Sequence, residues 1–424
     1  LKQERESGLA YQKRRHDQIT ENYELYRDFV HINRLTQRQV VNVPLMKETI
    51  KTLKASLDER YDMAFENLDR DDTGFAKEQE FVINEYWNYE TNRLHFELLD
   101  AQDVHNVLLN GRSFQKLNFL DRLFSCEVMD FFDILVDPKM KPHDIDSARY
   151  IIHQNIFRPL GDILTSDKYS QEGKDELKNL MWSEKGLVLG ADNRMRLQEK
   201  TERLRNMGLE NTLNLDEIIA GAEVIVVLTE HYTHKWNEKK KKYEKTVAVV
   251  AQGNVLLYEE TLMDCLGVDF WPFITWASDL DVSDVWTDGE ADVVRVINKV
   301  INAWISQGVE NRTLKNWGMR YYDNSKGFNP QSFTPVPWGW YPVPGNPNEI
   351  IKDIDINPLG DSINEINWLI GLAEKATATP AVGKGVAEKK QITLGEINMV
   401  LGESKERVKG MAKFKMKEAK ERAE

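Results

Sequence analysis

The 424-residue sequence contains little cysteine and no long apolar run. Its two cysteines, Cys126 and Cys265, are far apart, which predicts no disulfide framework and agrees with a reducing compartment. Each is interpreted as a small buried apolar residue. Because no run of about 18 apolar residues occurs, no membrane span is expected. The chain begins at Leu1 with polar residues instead of a signal peptide and ends in a helix-like pattern, so we expect further residues at both ends.

Positive charge is scarcer than negative charge, and the formal net charge is -13. A protein that grips nucleic acid over a broad face would be basic, because the neutralisation of phosphates contributes much of the affinity. The chain therefore either has no role with nucleic acid or contacts nucleic acid without binding it tightly. An apolar content of 41% is enough for a folded core, and the length predicts two or three domains.

Recognisable catalytic motifs are lacking as well. The Gly-Lys-Gly at 383–385 lacks the first glycine and the hydroxyl residue of a phosphate-binding loop. His231 and His234 are accompanied by neither a cysteine pair nor a zinc-binding helix pattern. No nucleophile elbow occurs, and no catalytic carboxylate pair stands out. We therefore expect a non-enzymatic protein without a cofactor or a bound metal.

One acidic stretch matches the pattern of a calcium-binding loop. In residues 69–80, Asp69 and Asp71 occupy the first and third positions, Gly74 the sixth and Glu80 the twelfth. The eighth position holds Ala76 where a branched apolar residue is usual, and the loop has no second copy. An acidic loop with a glycine turn between two helices produces the same pattern, so calcium binding stays an alternative.

The apolar pattern predicts a mixed, mainly α fold with a small antiparallel β-sheet. Residues 1–135 are predicted to be helical, and residues 143–207 to form short helices. Three β-branched runs within residues 222–260 predict a three-stranded meander. Residues 239–242 are four lysines in its first turn, a pattern typical of a solvated hairpin tip, with a phosphate contact as the alternative.

Three capping boxes predict where the helices of the last third begin. Apolar residues at helical spacing follow each box, which predicts helices over 287–316, 362–376 and 393–424. Residues 317–361 hold more than half of the 13 prolines, so neither a helix nor a central strand is expected there. Small residues, glycine and proline in 377–392 predict a loop.

This order, with a small sheet followed by helix, stiff aromatic excursion, helix, loop and helix, resembles the portal subunits of tailed bacteriophages. It is closest to those of short-tailed phages, covers roughly residues 20–415 and is strongest from residue 270 onward. The stretches that carry the resemblance are Phe-Trp-Pro-Phe-Ile at 270–274, Val-Arg-Val-Ile-Asn-Lys-Val-Ile-Asn at 294–302, Val-Asp-Pro at 136–138, Ala-Arg-Tyr at 148–150, Trp-Gly-Met-Arg-Tyr-Tyr-Asp at 317–323, and Gln-Ile-Thr-Leu-Gly-Glu at 391–396.

The resemblance implies a portal fold and a division of the chain into the parts that such subunits share. In this order they are a wing in 1–286 (with the meander at about 222–260), a first stem helix in 287–316, a clip in 317–361, a second stem helix in 362–376, a tunnel loop in 377–392, and a helix toward the crown in 393–424.

It also implies a function, partners and a location. The chain would be one of twelve copies in a homo-dodecameric ring that forms the DNA channel at a unique capsid vertex. The ring would serve genome packaging, head-tail joining and genome ejection, and would be assembled in the host bacterial cytoplasm and carried in the virion. The implied partners are the terminase motor, the major capsid protein, the head-tail adaptor or tail proteins, and double-stranded DNA that passes without sequence specificity, with no membrane.

Particular side chains are expected to make these contacts. In the tunnel loop the candidates for transient contact with DNA are Lys384, Lys389 and Lys390, with simple solvation as the alternative. In the clip the candidates for partner binding are Trp338, Trp340 and Tyr341, whose alternative is packing on the adjacent clip. Two other functions stay open: another oligomeric virion structural or scaffolding protein without a channel, and a calcium-binding interaction protein.

Overall fold

A computed structural model describes most of the chain. The described residues are 1–29, 41–57, 63–66, 74–120, 123–183, 225–317, 320–322, 325, 346, 351–353, 362–379 and 394–423. The chain divides into two compact units. The first unit comprises Leu1–Phe29, Pro44–Val296 and Ala373–Glu424, and the second comprises Val30–Val43 and Ile297–Leu372.

Helices precede, interrupt and follow the strands of the first unit. They are α1 (Lys2–Tyr26), α2 (Leu45–Leu57), α3 (Gly74–Arg93), α4 (Phe96–Asn110), α5 (Leu160–Thr165), α6 (Gln171–Ser183), α7 (Leu262–Leu266) and α10 (Leu394–Ala423). Two further helices, α8 (Glu290–Trp317) and α9 (Ser362–Thr377), belong partly to each unit.

The strands of the first unit form two antiparallel sheets. They are β1 (Arg112–Leu120), β2 (Leu123–Val128), β3 (Ile134–Val136), β4 (Tyr150–Pro159), β5 (Ile225–Asn237), β6 (Lys242–Ala251), β7 (Val255–Thr261) and β8 (Phe273–Ala277). One sheet has the order β2-β1-β8 and the other β3-β4-β5-β6-β7. The predicted mixture of helices with small antiparallel sheets is therefore confirmed, as is the meander, whose strands are longer than predicted.

An aromatic core joins the two sheets. Phe131 and Trp286 pack edge to face with ring centroids 4.7 Å apart, and Phe114 of β1 packs on Trp286 at 5.4 Å. Trp271 and Tyr232 are buried in the same cluster. Full burial of each such side chain contributes roughly 1.5–3 kcal/mol, so this cluster is a major apolar contribution to the stability of the unit.

A buried ion pair also connects the sheets. Lys116 Nζ of β1 lies 2.5 Å from Glu230 Oε2 of β5 and 3.2 Å from His153 Nδ1 of β4. The hydroxyl of Tyr232 donates a hydrogen bond of 3.0 Å to the same Glu230 oxygen. Burial raises the pKa of Glu230, but Lys116, His153 and Tyr232 outweigh it and lower the pKa to about 2. Glu230 therefore stays ionised at neutral pH.

Helix α1 docks through amide side chains as well as apolar ones. Gln12 Nε2 donates to the carbonyl of Ile134 at 2.9 Å and also to that of Phe131. Asn22 Nδ2 donates to the carbonyl of Leu109 at 3.0 Å. These bonds satisfy backbone acceptors at the ends of neighbouring elements, which explains why a helix with a largely polar sequence is held against the core.

Part of the predicted helical region is wrong. Residues 112–120, 123–128 and 134–136 form β1, β2 and β3, although residues 1–135 were expected to be helical. Polar residues in β1 are typical of a helix surface, yet here they are buried: Arg112 donates to the carbonyls of Val285 at 2.7 Å and Pro142 at 2.9 Å. Tertiary partners thus decided the structure of β1.

The prediction of short helices in residues 143–207 is also partly wrong. Residues 150–159 form β4, the strand between β3 and β5. α5 and α6 do lie in this region, and residues 184–207 lie outside the described ones. Hydrogen bonding to strands on both sides keeps β4 extended, a contact that local sequence does not reveal.

The second unit contains most of α8, the first part of α9 and a short antiparallel ribbon. Its strands are β9 (Arg320–Tyr322) and β10 (Ile351–Asp353). Backbone N–H groups of residues 41 and 43 donate to Ser306 Oγ at 3.0 Å and Asn302 Oδ1 at 2.8 Å on α8. The helices predicted at 287–316, 362–376 and 393–424 are confirmed within three residues at each end.

Replacing Lys116 with Met is expected to lower the free energy of unfolding by about 3–5 kcal/mol, because Glu230 is left buried without its cation. The double variant Lys116→Met with Glu230→Gln removes that charge and should regain part of the loss. Urea unfolding followed by tryptophan fluorescence measures both. A double variant no more stable than Lys116→Met would contradict the assignment.

Candidate functional site

The side chains that the sequence proposes for contact with DNA and partners lie outside the described residues. They are Lys384, Lys389 and Lys390 of the expected tunnel loop, and Trp338, Trp340 and Tyr341 of the expected clip. The described residues instead define how the long helices on either side of these segments are fixed to the first unit. Two anchors, at the start of α8 and along α10, form the candidate site.

The calcium-loop alternative falls partly on a helix. α3 begins at Gly74, the sixth loop position, and residues 67–73 lie outside the described ones. A calcium loop uses the backbone carbonyl of its seventh position, here Phe75, as a ligand. A carbonyl in the first turn of a helix instead accepts a hydrogen bond from four residues further on. The described geometry does not support calcium binding here.

The start of α8 is anchored by one buried carboxylate. Asp292 accepts hydrogen bonds from Arg15 Nη2 at 2.6 Å, Asn22 Nδ2 at 3.1 Å and Arg295 Nη1 at 2.9 Å. It also accepts from the backbone N–H of Gly289 at 2.9 Å. An acidic side chain in the first turn is stabilised by the helix dipole, and here it ties α8 to α1.

Two glycines let α4 and the start of α8 approach each other. Gly111 ends α4 with φ +87°, and a Cβ there would lie 1.9 Å from the carbonyl oxygen of Thr287. A Cβ on Gly289 would lie 2.8 Å from the backbone N of Gly111. The Thr287 hydroxyl donates to the Gly111 carbonyl at 3.3 Å. The predicted cap at Thr287 is therefore wrong, because α8 begins at Glu290 and Asp292 accepts from the backbone N–H of Gly289, the residue just before the helix.

The variant Gly111→Ala is expected to lower the free energy of unfolding by at least about 2 kcal/mol, since it combines a left-handed backbone with a steric clash. Gly308→Ala is the matched control. Gly308 lies within α8 with open space around it, so alanine should be neutral or stabilising by up to about 1 kcal/mol. Thermal unfolding of the two variants measures the difference. Equal melting temperatures would contradict the close approach.

Helix α10 is fixed by a buried face that turns from apolar to charged along its length. The buried residues at helical spacing are Val408, Met411, Lys415, Glu418 and Arg422. Lys415 Nζ donates to the carbonyl of Leu57, the last residue of α2, at 2.8 Å. A lysine at the carboxyl end of a helix satisfies an unpaired carbonyl and complements the helix dipole.

Two acidic side chains bind the guanidinium of Arg422, and a third interacts with it electrostatically. Arg422 donates to Asp100 Oδ1 of α4 at 2.7 Å and to Glu418 Oε1 at 2.6 Å, and its guanidinium lies 4.9 Å from the ring of Phe96. The third carboxylate, Asp103, is buried and accepts from the indole N–H of a tryptophan in β8. One cation thus faces three acids at the junction of α4, α10 and the smaller sheet.

Burial, together with this shortage of positive charge, raises the pKa of two acids of the cluster. Burial raises the pKa of Glu418 to about 8, with Asp103 and Asp100 adding to the rise and Arg422 opposing it. Burial likewise raises the pKa of Asp103, against its hydrogen bonds and Arg422. Glu418 is therefore largely protonated at neutral pH, and the docked helix holds a proton that the free helix would release.

The docking of α10 is expected to weaken as the pH rises. The folded pKa of Glu418 exceeds its ordinary value of 4.5, so its stabilisation is complete below that value and is lost as the pH rises through about 8. Between pH 6 and pH 8 the free energy of unfolding should fall by on the order of 2 kcal/mol. Urea unfolding at each pH measures this.

Glu418→Gln should flatten that pH dependence, because glutamine imitates the protonated acid. The matched control is Glu421→Gln on the same helix, which pairs with Lys417 at 3.2 Å at the surface and should leave the slope unchanged. A slope in Glu418→Gln equal to that of the unaltered chain would rule out this cluster as its source.

Sequence reasoning missed this cluster, although a signal was present. Val408 and Met411 begin a spacing of three and four residues that continues to Lys415, Glu418 and Arg422. Charged residues on the continuation of an apolar stripe indicate buried pairs when partners exist. The partners Asp100 and Asp103 lie on α4, far away in the sequence, and only the fold brings them together.

Comparisons with protein-family models and with curated proteins do not assign the chain to a family. No protein-family model matches it, and a search of curated proteins finds no match. Among the described helices, none is both long and apolar enough to cross a membrane.

Proposed function

We propose that this chain is a portal subunit of a tailed bacteriophage, a ring-forming protein whose copies surround the channel for DNA. The path of the chain through the second unit carries the proposal. α8 passes into that unit at Ile297, β9 and β10 follow, and α9 leaves it after Leu372. α8 begins in the first unit and α9 ends in it, so the chain makes one excursion between these two helices, apart from the separate segment Val30–Val43 of the second unit.

The two ends of the segment between β9 and β10 lie side by side. Tyr322 pairs with Ile351 and Arg320 with Asp353 in the antiparallel ribbon, so the segment between β9 and β10 starts and ends at one place. That segment contains six of the 13 prolines of the chain, and proline restricts the backbone. A proline-rich aromatic segment whose two ends are paired in this way would be suited to present Trp338, Trp340 and Tyr341 to a partner.

Exposed apolar side chains on the two helices support assembly with further copies. On α9, Trp368 is 67% exposed and Ile363 is 64% exposed. On α8, Val296 is 62% exposed. Large apolar groups on helices are costly to leave in water, and such surfaces mark contacts with other proteins. In a ring, each helix would bury these groups against its neighbours.

The charge of the chain agrees with a channel that does not retain DNA. A net charge of -13 per copy is multiplied around a ring, and a lumen of that sign repels the phosphates of the passing duplex. Lys384, Lys389 and Lys390 would then offer transient phosphate contacts within a repulsive wall. The protein would act as a non-enzymatic conduit in the virion and would dock the terminase motor and later the tail adaptor.

Purified protein is expected to form rings of about twelve copies with a central hole. Static light scattering gives the mass in solution, and negative-stain electron microscopy gives the shape. A chain that stays monomeric at every salt and protein concentration would argue against the portal and in favour of a virion structural protein without a channel.

Trp368→Asp should raise the concentration needed for ring formation by about tenfold or more, because it places a carboxylate in the proposed contact between copies. Val282→Asp is the matched control, since Val282 is 95% exposed in a loop. It introduces the same charge and should leave assembly unchanged. Equal loss in both variants would show a general charge effect instead of a contact made by α9.

A further inference from the structure

The outer face of α3 carries a row of uncovered aromatic and apolar side chains. Phe81 is 66% exposed, Val82 60%, Tyr86 53% and Tyr89 61%. Their positions follow the spacing of one helix face. Glu78 and Glu85 occupy the same face and are exposed, so the surface is both apolar and acidic. We call these six residues the α3 face.

The inner side of the same helix is held firmly. Asn84 accepts from the backbone N–H of Phe65 and donates to its carbonyl, both at 3.0 Å. The ring of Trp87 packs edge to face between Phe65 at 5.7 Å and Phe96 at 5.5 Å. These contacts fix the rotation of α3 about its axis. The exposure of the α3 face is therefore a property of a docked helix.

The hairpin between β5 and β6 carries a second uncovered surface with the opposite charge. Trp236 and Tyr243 are direct cross-strand partners, with ring centroids 5.1 Å apart, and are 49% and 60% exposed. Residues 239–242, all lysine and all exposed, lie in the turn and at the start of β6 beside them. We call this surface the hairpin tip.

We propose that the hairpin tip of one copy docks on the α3 face of the next copy. This inference rests on the proposed ring function and names one of its contacts. The apolar side chains of the α3 face would cover Trp236 and Tyr243, while Glu78 and Glu85 would meet the lysines. Tryptophan and tyrosine are frequent anchors of protein interfaces, and a cross-strand pair loses little conformational freedom on binding.

Charge decides which pairing of the two surfaces is favourable. Two α3 faces against each other would oppose glutamates, and two hairpin tips would oppose lysines, at a cost of several kcal/mol for close like charges. Only the pairing of unlike surfaces is complementary. A contact between two different surfaces of the same chain is head to tail, which is the type of contact that closes a ring.

The apolar area of the α3 face and the hairpin tip is smaller than that of a complete interface between two proteins. An aromatic side chain presents roughly 150–250 Å² when fully exposed. The partly exposed apolar side chains of the α3 face and the hairpin tip therefore offer on the order of 500 Å² in total. A stable interface buries about 800 Å² on each partner. The contact therefore adds to others between copies and sets their register.

A single-stranded nucleic acid is the rival occupant of the hairpin tip, because bases stack on aromatic rings between lysines. It would leave the α3 face uncovered. In addition, Glu244 lies 2.8 Å from Lys240 and 3.6 Å from Lys242, which reduces the positive charge of the tip. A second copy covers both surfaces at once, so we favour it.

Charge reversal tests the contact. Lys239→Glu with Lys241→Glu on the hairpin tip, and separately Glu78→Lys with Glu85→Lys on the α3 face, should each raise the concentration for half-assembly by about tenfold or more. All four changes in one chain should restore assembly toward that of the unaltered protein. Lys13→Glu with Lys139→Glu makes the same change of charge as the hairpin-tip variant, but at other exposed sites, and should have no effect. Circular dichroism verifies that each variant is folded.

Disulfide cross-linking tests the contact between the hairpin tip and the α3 face independently of charge. Tyr89→Cys combined with Lys241→Cys should give, on oxidation, a ladder of disulfide-linked oligomers that neither single variant gives. Rings that form equally well in every charge variant, without a ladder, would overturn this contact and leave the portal proposal standing. An unaltered chain that gives no oligomer would overturn both. A hairpin variant that assembles normally but loses binding to single-stranded DNA would overturn the contact in favour of nucleic acid.

Discussion

The first unit depends on buried polar groups that find their partners far away in the sequence. Burying an unpaired charge costs several kcal/mol, so each of these groups restricts the fold to arrangements that pair it. Lys116 of one sheet meets Glu230 of the other, and Asp292 of α8 receives donors from α1. Arg112 donates to carbonyls of two separate segments. These bonds are directional, so they define the register of sheets and helices more narrowly than apolar burial does.

The same kind of contact fixes α8, the expected first stem helix, and α10, which follows the expected tunnel loop. α8 begins at a carboxylate bonded from several sides, where glycines allow a close approach of backbones. α10 ends in a cluster where one guanidinium faces three acids. For a ring that holds its shape while DNA moves through it, rigid anchors at these helices would keep the channel in place. The proton held by Glu418 also makes the second anchor sensitive to pH.

The local sequence pattern predicted secondary structure correctly where an element depends mainly on its own residues. The helices α8, α9 and α10 and the meander of β5, β6 and β7 follow from apolar periodicity and turn residues. It was insufficient for β1 and β4, whose polar or ambiguous sequences become strands through hydrogen bonds with β2, β8, β3 and β5. The cap at Thr287 was predicted wrongly for a related reason, because its hydroxyl bonds to Gly111 instead of to the helix.

The sequence by itself determined the meander, the three long helices of the last third, the acidic balance, the proline-rich segment between two of those helices and the basic hairpin turn. These properties depend on neighbouring residues, so they can be read along the chain. Only the tertiary structure decided which charged residues are buried, that Glu418 and Arg422 meet Asp100 and Asp103, and that the aromatic face of α3 points away from the core. The physical reason is that burial and charge pairing are relations between distant residues, whose energies depend on distances that local sequence does not contain.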